Sequence, residues 1–208
     1  LMLGRIWWII GAALICGLGA FLISDFAIPR KYQSNVSMYV RNKEDQKQDI
    51  NNSDLSVSKS LVSTYIVILN NDAVMEQVGE QLLKQHTPEE LSGNFTIKNG
   101  KITNESLKST FTMAAVNNTE VLKITATTKN AALSAELCNI MADVAPEVLI
   151  RVVGAGSVEK IGDAKIYEAA VSPSVTKNTA IGFAGGALLA ILVILLIDFF
   201  DNTVRGTE

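Results

Sequence analysis

Two long apolar runs without a single charge, one near each end of the chain, limit its fold more than any other feature. Residues 6–23 read IWWIIGAALICGLGAFLI, and Phe26 to Ile28 carry the run on past Asp25. Residues 179–197 read TAIGFAGGALLAILVILLI. At about 1.5 Å of rise per residue, a helix of about 20 residues crosses a hydrocarbon core of about 30 Å. Trp7 and Trp8 stand at one end of the first run, where amphipathic rings favour the membrane interface. A cleaved leader does not fit: the run is longer than a leader's apolar region, and no small-x-small cleavage site precedes Pro29. The two runs also explain how 208 residues with 19% charged side chains reach a mean hydropathy of +0.26. We therefore expect transmembrane helices over residues 6–28 and 179–197, with residues 29–178 on the opposite side from both termini.

Charge leaves the orientation open. Arg5 and Arg205 flank the outer ends of the two runs, whereas Arg30, Lys31 and Lys177 flank the inner ends. A segment as long as residues 29–178 escapes the rule that places short basic loops inside. All but two of the 18 basic residues lie in that segment, beside all but four of the 21 acidic ones. With a net charge of -3 and a pI of 5.3, the chain has no electrostatic footprint for nucleic acid. One histidine and two cysteines give little material for a transition-metal centre or a disulfide framework. Leu1 sits so near the first span that further residues are expected before it.

Small residues recur on both spans at helix-pairing distance. Gly182 and Gly186 form a GxxxG spacing beside Ala184, Gly185 and Ala187, and Ala13 and Gly17 repeat the spacing in the first span. Such positions let backbones approach where lipid supplies no hydrophobic drive. Ala13, Gly17, Gly182 and Gly186 are the candidate packing residues, although glycine is also simply common in membrane helices.

The middle segment alternates between strand and helix patterns. Residues 32–40 alternate Tyr32, Ser34, Val36, Met38 and Val40 against polar neighbours, predicting a strand. Residues 41–54 are polar and aperiodic, a surface loop. Asp54 is placed to cap a helix carrying Leu55, Leu61, Val62, Tyr65, Ile66 and Leu69, broken at Asn70-Asn71. Asp72 can cap a second helix through Gln85, with Val74, Met75, Val78, Leu82 and Leu83 inward. Thr87-Pro88-Glu89-Glu90 starts a short helix ending near Gly93. Asn99-Gly100 marks either a small extra hairpin or an irregular insertion before residue 108. Strands over 109–116 and 120–127 flank a turn at Asn117-Asn118-Thr119, with Leu122, Ile124 and Ala126 on one face. A helix over 130–150 carries Leu133, Leu137, Ile140, Met141 and Val144, and a last strand covers 158–167. The expected domain is α+β, in the order β-α-α-β-β-α-β, without internal repeats.

No active site is nominated. There is no GxxxxGK[ST] phosphate loop, and Gly154-Ala155-Gly156 lacks the third glycine and the context of a dinucleotide site. His86 sits in a polar run and reads as solvent-exposed. Cys16 and Cys138 read as small buried hydrophobes. Glu89-Glu90 is explained as helix N-terminal charge. The sequons at Asn35 and Asn94 are short enough to arise by chance. No cofactor is expected.

The junctions carry a family likeness. Pro29-Arg30-Lys31-Tyr32-Gln33-Ser34 resembles the exit from the first span in the Wzz chain-length determinants, also called polysaccharide co-polymerases. Ala169-Ala170-Val171-Ser172-Pro173-Ser174 resembles their proline-rich approach to the second span, with Pro173 alone where several prolines are usual. Asp198-Phe199-Phe200-Asp201-Asn202-Thr203-Val204-Arg205 resembles their cytoplasmic tail. The likeness is greatest to the short Gram-positive CpsC/CapA type, the tyrosine-kinase modulators of capsule and exopolysaccharide synthesis.

This resemblance implies a bacterial plasma-membrane protein with residues 1–5 and 198–208 cytoplasmic and residues 29–178 extracytoplasmic. It implies a homo-oligomeric ring, an octamer being the family-based expectation, working with a polymerase on lipid-linked polysaccharide. It implies a non-catalytic role in setting polymer length and export. It also implies that Phe199, Phe200, Asp201, Asn202, Thr203, Val204 and Arg205 dock a cytoplasmic tyrosine autokinase; an interface aromatic belt with a trailing tail is the plainer alternative. Two other classes stay open. A membrane-anchored sensor would need a ligand pocket in an extracytoplasmic domain, and a glycan-modifying enzyme would need paired carboxylates about 5–9 Å apart.

Overall fold

The structure is a computed structural model and describes residues 2–41, 54–117, 119–153 and 157–200. In chain order it comprises α1 (Met2–Leu22), extended by one π-helical turn (Ile23–Ala27), β1 (Tyr32–Arg41), α2 (Asp54–Leu69), α3 (Asp72–Gln85) and α4 (Pro88–Leu91). There follow β2 (Ile97–Lys98), β3 (Lys101–Ile102), α5 (Asn104–Thr110), β4 (Phe111–Ala115), β5 (Val121–Thr128), α6 (Ala131–Val153), β6 (Ser157–Ile161) and α7 (Val175–Phe200). The chain divides into two compact units, Leu1–Arg30 with Val171–Glu208, and Lys31–Ala170. The first is built from α1 and α7, the second from the mixed α and β elements between them.

The second unit is organised by an antiparallel sheet in the order β4-β5-β1-β6. Alternation along β1 turns Ser34, Val36, Met38 and Val40 to the buried side, where Val36 lies opposite Ile124 and Met38 opposite Leu122 of β5. Helix α6 covers this face with Leu133, Leu137, Ile140, Met141 and Val144, all buried. Met38, Leu122, Ile124, Leu137 and Met141 exclude solvent completely. Asn130 starts α6, its Oδ1 accepting the N–H groups of Ala132 (2.9 Å) and Leu133 (3.3 Å). Cys138 is buried against the sheet, its Sγ donating to the Ser34 carbonyl at 3.3 Å. Burial pushes its thiol up to about 12, which makes it inert.

Several details depart from expectation. The order contains four more elements than β-α-α-β-β-α-β: α4, the short helix expected from Thr87-Pro88, the β2–β3 hairpin, one of the two readings of the stretch before residue 108, and α5, which was not expected. The hairpin turns on Asn99 and Gly100, both at positive φ. Helix α5 takes Ser109 and Thr110, two residues assigned to a strand by their composition. Ser109 Oγ and Thr110 Oγ1 both donate to the Ser106 carbonyl, at 2.8 and 2.9 Å, the local back-bonding open to hydroxyls at the end of a helix. Helix α3 is capped by Asn71, whose Oδ1 accepts the Ala73 N–H at 3.0 Å, and not by Asp72. Asp72 instead meets Lys108 of α5 at 2.7 Å, and that contact holds its carboxyl below the ordinary range.

Strand β6 ends at Ile161, short of the expected residue 167. Gly162 takes φ +74°, after which the Ala164 N–H turns to Asn139 Oδ1 (2.9 Å) and the Lys165 carbonyl accepts from Ser34 Oγ (2.6 Å). The chain therefore leaves the ladder while staying tied to β1 and α6. In α2, Val62, Tyr65 and Leu69 are buried as expected. The expected loop over 42–53 and the side chains of Asp54, Leu55 and Leu61 lie outside the described residues.

Truncating Leu137 to alanine leaves a cavity beneath the sheet centre and should destabilise this unit by about 2–5 kcal/mol. Chemical denaturation followed by circular dichroism checks this, and the change should leave membrane insertion intact.

Candidate functional site

Among the described residues, α1 with its π-helical turn and α7 are the two helices long and apolar enough to cross a membrane, over Ile6–Ala27 and Val175–Ile197. Trp7 and Trp8 project outward near one end of α1, both about three-quarters exposed. The candidate site of this unit is the line along which the two helices meet, together with the end of α7.

The meeting line is made of small residues. Ala13 is buried, and a Cβ on Gly17 would sit 3.2 Å from Phe183 Cδ2. A Cβ on Gly182 would collide with the Ala20 side chain and lie 3.0 Å from the Cys16 carbonyl oxygen. One on Gly186 would lie 2.6 Å from Cys16 Cβ and 2.9 Å from the Ala12 carbonyl oxygen. Two α7 glycines thus face α1 backbone, in the manner that lets membrane helices exchange close van der Waals contact. By contrast, nothing lies within 4 Å of a Cβ on Gly185. Cys16, expected to be buried, is exposed on the helix surface while its Cβ edge borders Gly186.

A polar contact accompanies this line, and the sequence reading missed it. Ser24 in the π-helical turn is buried, and its Oγ accepts from Asn178 Nδ2 at 2.8 Å. The extra residue of a π turn re-aims the side chains around it, and here Ser24 faces α7. Beside it, Thr179 Oγ1 is buried without a hydrogen-bond partner. Asp25 and Arg30 pair at 3.5 Å where the chain leaves α1. A serine within a membrane helix and an asparagine just inside the start of another were the available sequence signals.

At the other end of α7, Phe199 and Phe200 stand more than three-quarters exposed, their rings edge-to-face at 5.6 Å. Asp201, Asn202, Thr203, Val204 and Arg205 lie outside the described residues.

A polar cleft of about 440 Å³ lies in the second unit between α3 and the β2–β3 hairpin. Three of its carboxylates are paired, Asp72 with Lys108, and Glu76 and Glu80 with one lysine. Lys101 reaches Glu76 at 2.8 Å and Glu80 at 3.7 Å, contacts that raise its ammonium above the ordinary lysine value. Among the described residues, no three His, Cys, Asp or Glu side chains are grouped to hold a metal ion. His86, expected in solvent, is half-buried, with Nε2 at 2.8 Å from Glu136 Oε2.

Comparison with known proteins bears on this arrangement. The family model described as "Wzz: Chain length determinant protein" matches residues 2–82. The chain is similar to the probable capsular polysaccharide biosynthesis protein YwqC of Bacillus subtilis, 25% identical over 189 residues, covering 90% of this chain and 70% of that protein. It is similar to the capsular polysaccharide biosynthesis protein CpsC of Streptococcus pneumoniae, 24% identical over 93% of this chain and 77% of that one. Similarity to the capsular polysaccharide biosynthesis protein CapA of Staphylococcus aureus is 23%, over 93% and 80%.

The two neighbouring glycines make a controlled test. Leucine at position 186 must push α1 away, whereas leucine at 185 points into open space. With a photo-crosslinking phenylalanine analogue at residue 183, Gly186→Leu should reduce the crosslink to the α1 peptide around Gly17 several-fold. Gly185→Leu should leave that yield unchanged, as mass spectrometry of the crosslinked peptides would show.

Proposed function

We propose that this chain, a protein of the Wzz chain-length-determinant type similar to the Gram-positive capsular biosynthesis proteins, is a polysaccharide co-polymerase that also activates a cytoplasmic tyrosine autokinase. The observation that carries the proposal is the similarity to those proteins over nine-tenths of the chain, on an architecture of two apolar helices bracketing an α+β unit. Two crossings put both termini on one face of the membrane and Lys31–Ala170 on the other. In this reading the termini are cytoplasmic and the α+β unit extracytoplasmic, at the bacterial plasma membrane.

The chain acts as a regulator, not a catalyst. Copies assemble as a homo-oligomeric ring around the site where a polymerase extends lipid-linked polysaccharide, and the ring sets the length exported. The tail, residues 199–208, docks the kinase. Phe199 and Phe200 supply an exposed aromatic anchor of the kind that dominates protein interfaces, and Asp201 to Arg205 complete the segment. Tethering many kinase copies to one ring raises their local concentration and favours phosphorylation in trans. The sensor alternative would use the cleft beside α3, but Glu76 and Glu80 there are already engaged by Lys101.

The kinase arm is tested with the detergent-solubilised chain, its cognate kinase and a nucleotide-binding readout. The intact chain should capture the kinase and raise its ATP binding, and a version lacking residues 199–208 should do neither. Equal behaviour of the two versions would contradict the docking assignment.

A further inference from the structure

We propose that His86, the single histidine of the chain, is a pH-operated latch that holds α4 and the segment up to Phe95 against α6. The imidazole occupies the junction of three helices. Its backbone closes α3, the His86 N–H donating to the Leu82 carbonyl at 3.0 Å. Its ring lies between carboxylates from two other helices, with Nε2 2.8 Å from Glu136 Oε2 of α6 and Nδ1 3.6 Å from Glu90 Oε2 of α4. That Glu90 oxygen also accepts the Thr87 N–H at 3.2 Å, closing the capping box that starts α4. One carboxylate oxygen therefore serves both the helix start and the histidine.

Protonation decides the sign of the second contact. An imidazolium donates from both nitrogens and can serve both carboxylates, whereas a neutral ring has one N–H and one lone pair. With the N–H kept for Glu136 at 2.8 Å, the lone pair on Nδ1 faces the Glu90 carboxylate. The contact with α4 then turns from attraction to repulsion. Glu136 has a stake in the same proton, because its Oε1 is buried without a hydrogen-bond partner. Of the other cations on the neighbouring segments, Lys84 lines a groove with Asp143 and Glu147, and Lys129 donates to the Gly93 carbonyl at 2.7 Å.

The electrostatics set the direction. The Glu136 hydrogen bond, with a smaller contribution from Glu90, raises the imidazolium above the ordinary histidine value, against a partial offset from desolvation. The latch is therefore complete below that ordinary value and is lost as pH rises through the raised folded-state value. What it holds is a lid on the core, since Leu91 and Phe95 are both buried. The Gly93 and Asn94 contacts with Lys129 do not involve the imidazole, so the response is local opening and not unfolding.

A single histidine gives one self-assigning ring signal in NMR of the full chain in lipid nanodiscs. Its midpoint should lie above 6.5. Glu136→Gln should bring it down, and Glu90→Gln, which keeps the capping geometry, should bring it down less. In hydrogen exchange corrected for intrinsic rates, amides 89–95 should open several-fold more often at about pH 8.5 than at about pH 6. His86→Gln should remove that difference. A ring midpoint at or below 6.5 would overturn the proposal even if the variants fail to fold. So would a His86→Gln chain whose amides 89–95 keep the pH dependence of the unaltered protein.

Discussion

The membrane-spanning unit depends on the close approach of α1 and α7. Inside a bilayer the lipid tails are as apolar as leucine, so burying leucine against leucine gains little. Packing distance and the rare interhelical hydrogen bond must hold two helices together instead. This chain uses both. Gly182 and Gly186 remove the side chains that would otherwise strike Ala20, Cys16 and the Ala12 carbonyl. The Ser24–Asn178 hydrogen bond fixes the rotation of one helix against the other. Such bonds in membranes are worth about 0.6 kcal/mol on average, so the small-residue contact carries most of the pairing and the polar bond selects its register.

The α+β unit follows different physics, because it can use the hydrophobic effect. Its centre is the match between the buried side of β1 and β5 and the apolar stripe of α6. Two hydrogen bonds at one residue, Ser34, tie the beginning of this unit to α6 and to its last segment. Its carbonyl accepts from Cys138 and its hydroxyl donates to Lys165. The segments that lead to the two spans are thereby anchored to the same strand and helix. Lys160 on the edge strand β6 reaches Asp163 at 2.7 Å and Asp143 at 3.3 Å, placing charge on an edge that could otherwise pair with another strand.

Periodicity made the large elements legible. The alternation in β1, the inward residues of α3 and the stripe of α6 each express one buried face, and a buried face is written locally in sequence. The small residues of the spans were legible for the same reason, since GxxxG is a local spacing. Contacts between distant segments were not. Asp72 looks as good a cap as Asn71 until Lys108 claims it, and His86 looks solvated until Glu136, fifty residues later, is brought beside it. Helix α5 was hidden because serine and threonine score as strand or turn unless their hydroxyls bond back along a helix. The end of β6 depended on Gly162, whose positive φ is a backbone choice that periodicity does not express. For the tail, sequence likeness supplied all seven candidate residues, and the structure describes the two phenylalanines.

The function proposed for this chain is to set the length of an exported polysaccharide. The most direct test is the length distribution of surface polymer, resolved by gel electrophoresis, from cells lacking the chain and from the same cells with it restored. The preferred length should be lost without the chain and return with it. Polymer of the same length profile in both cells would contradict it.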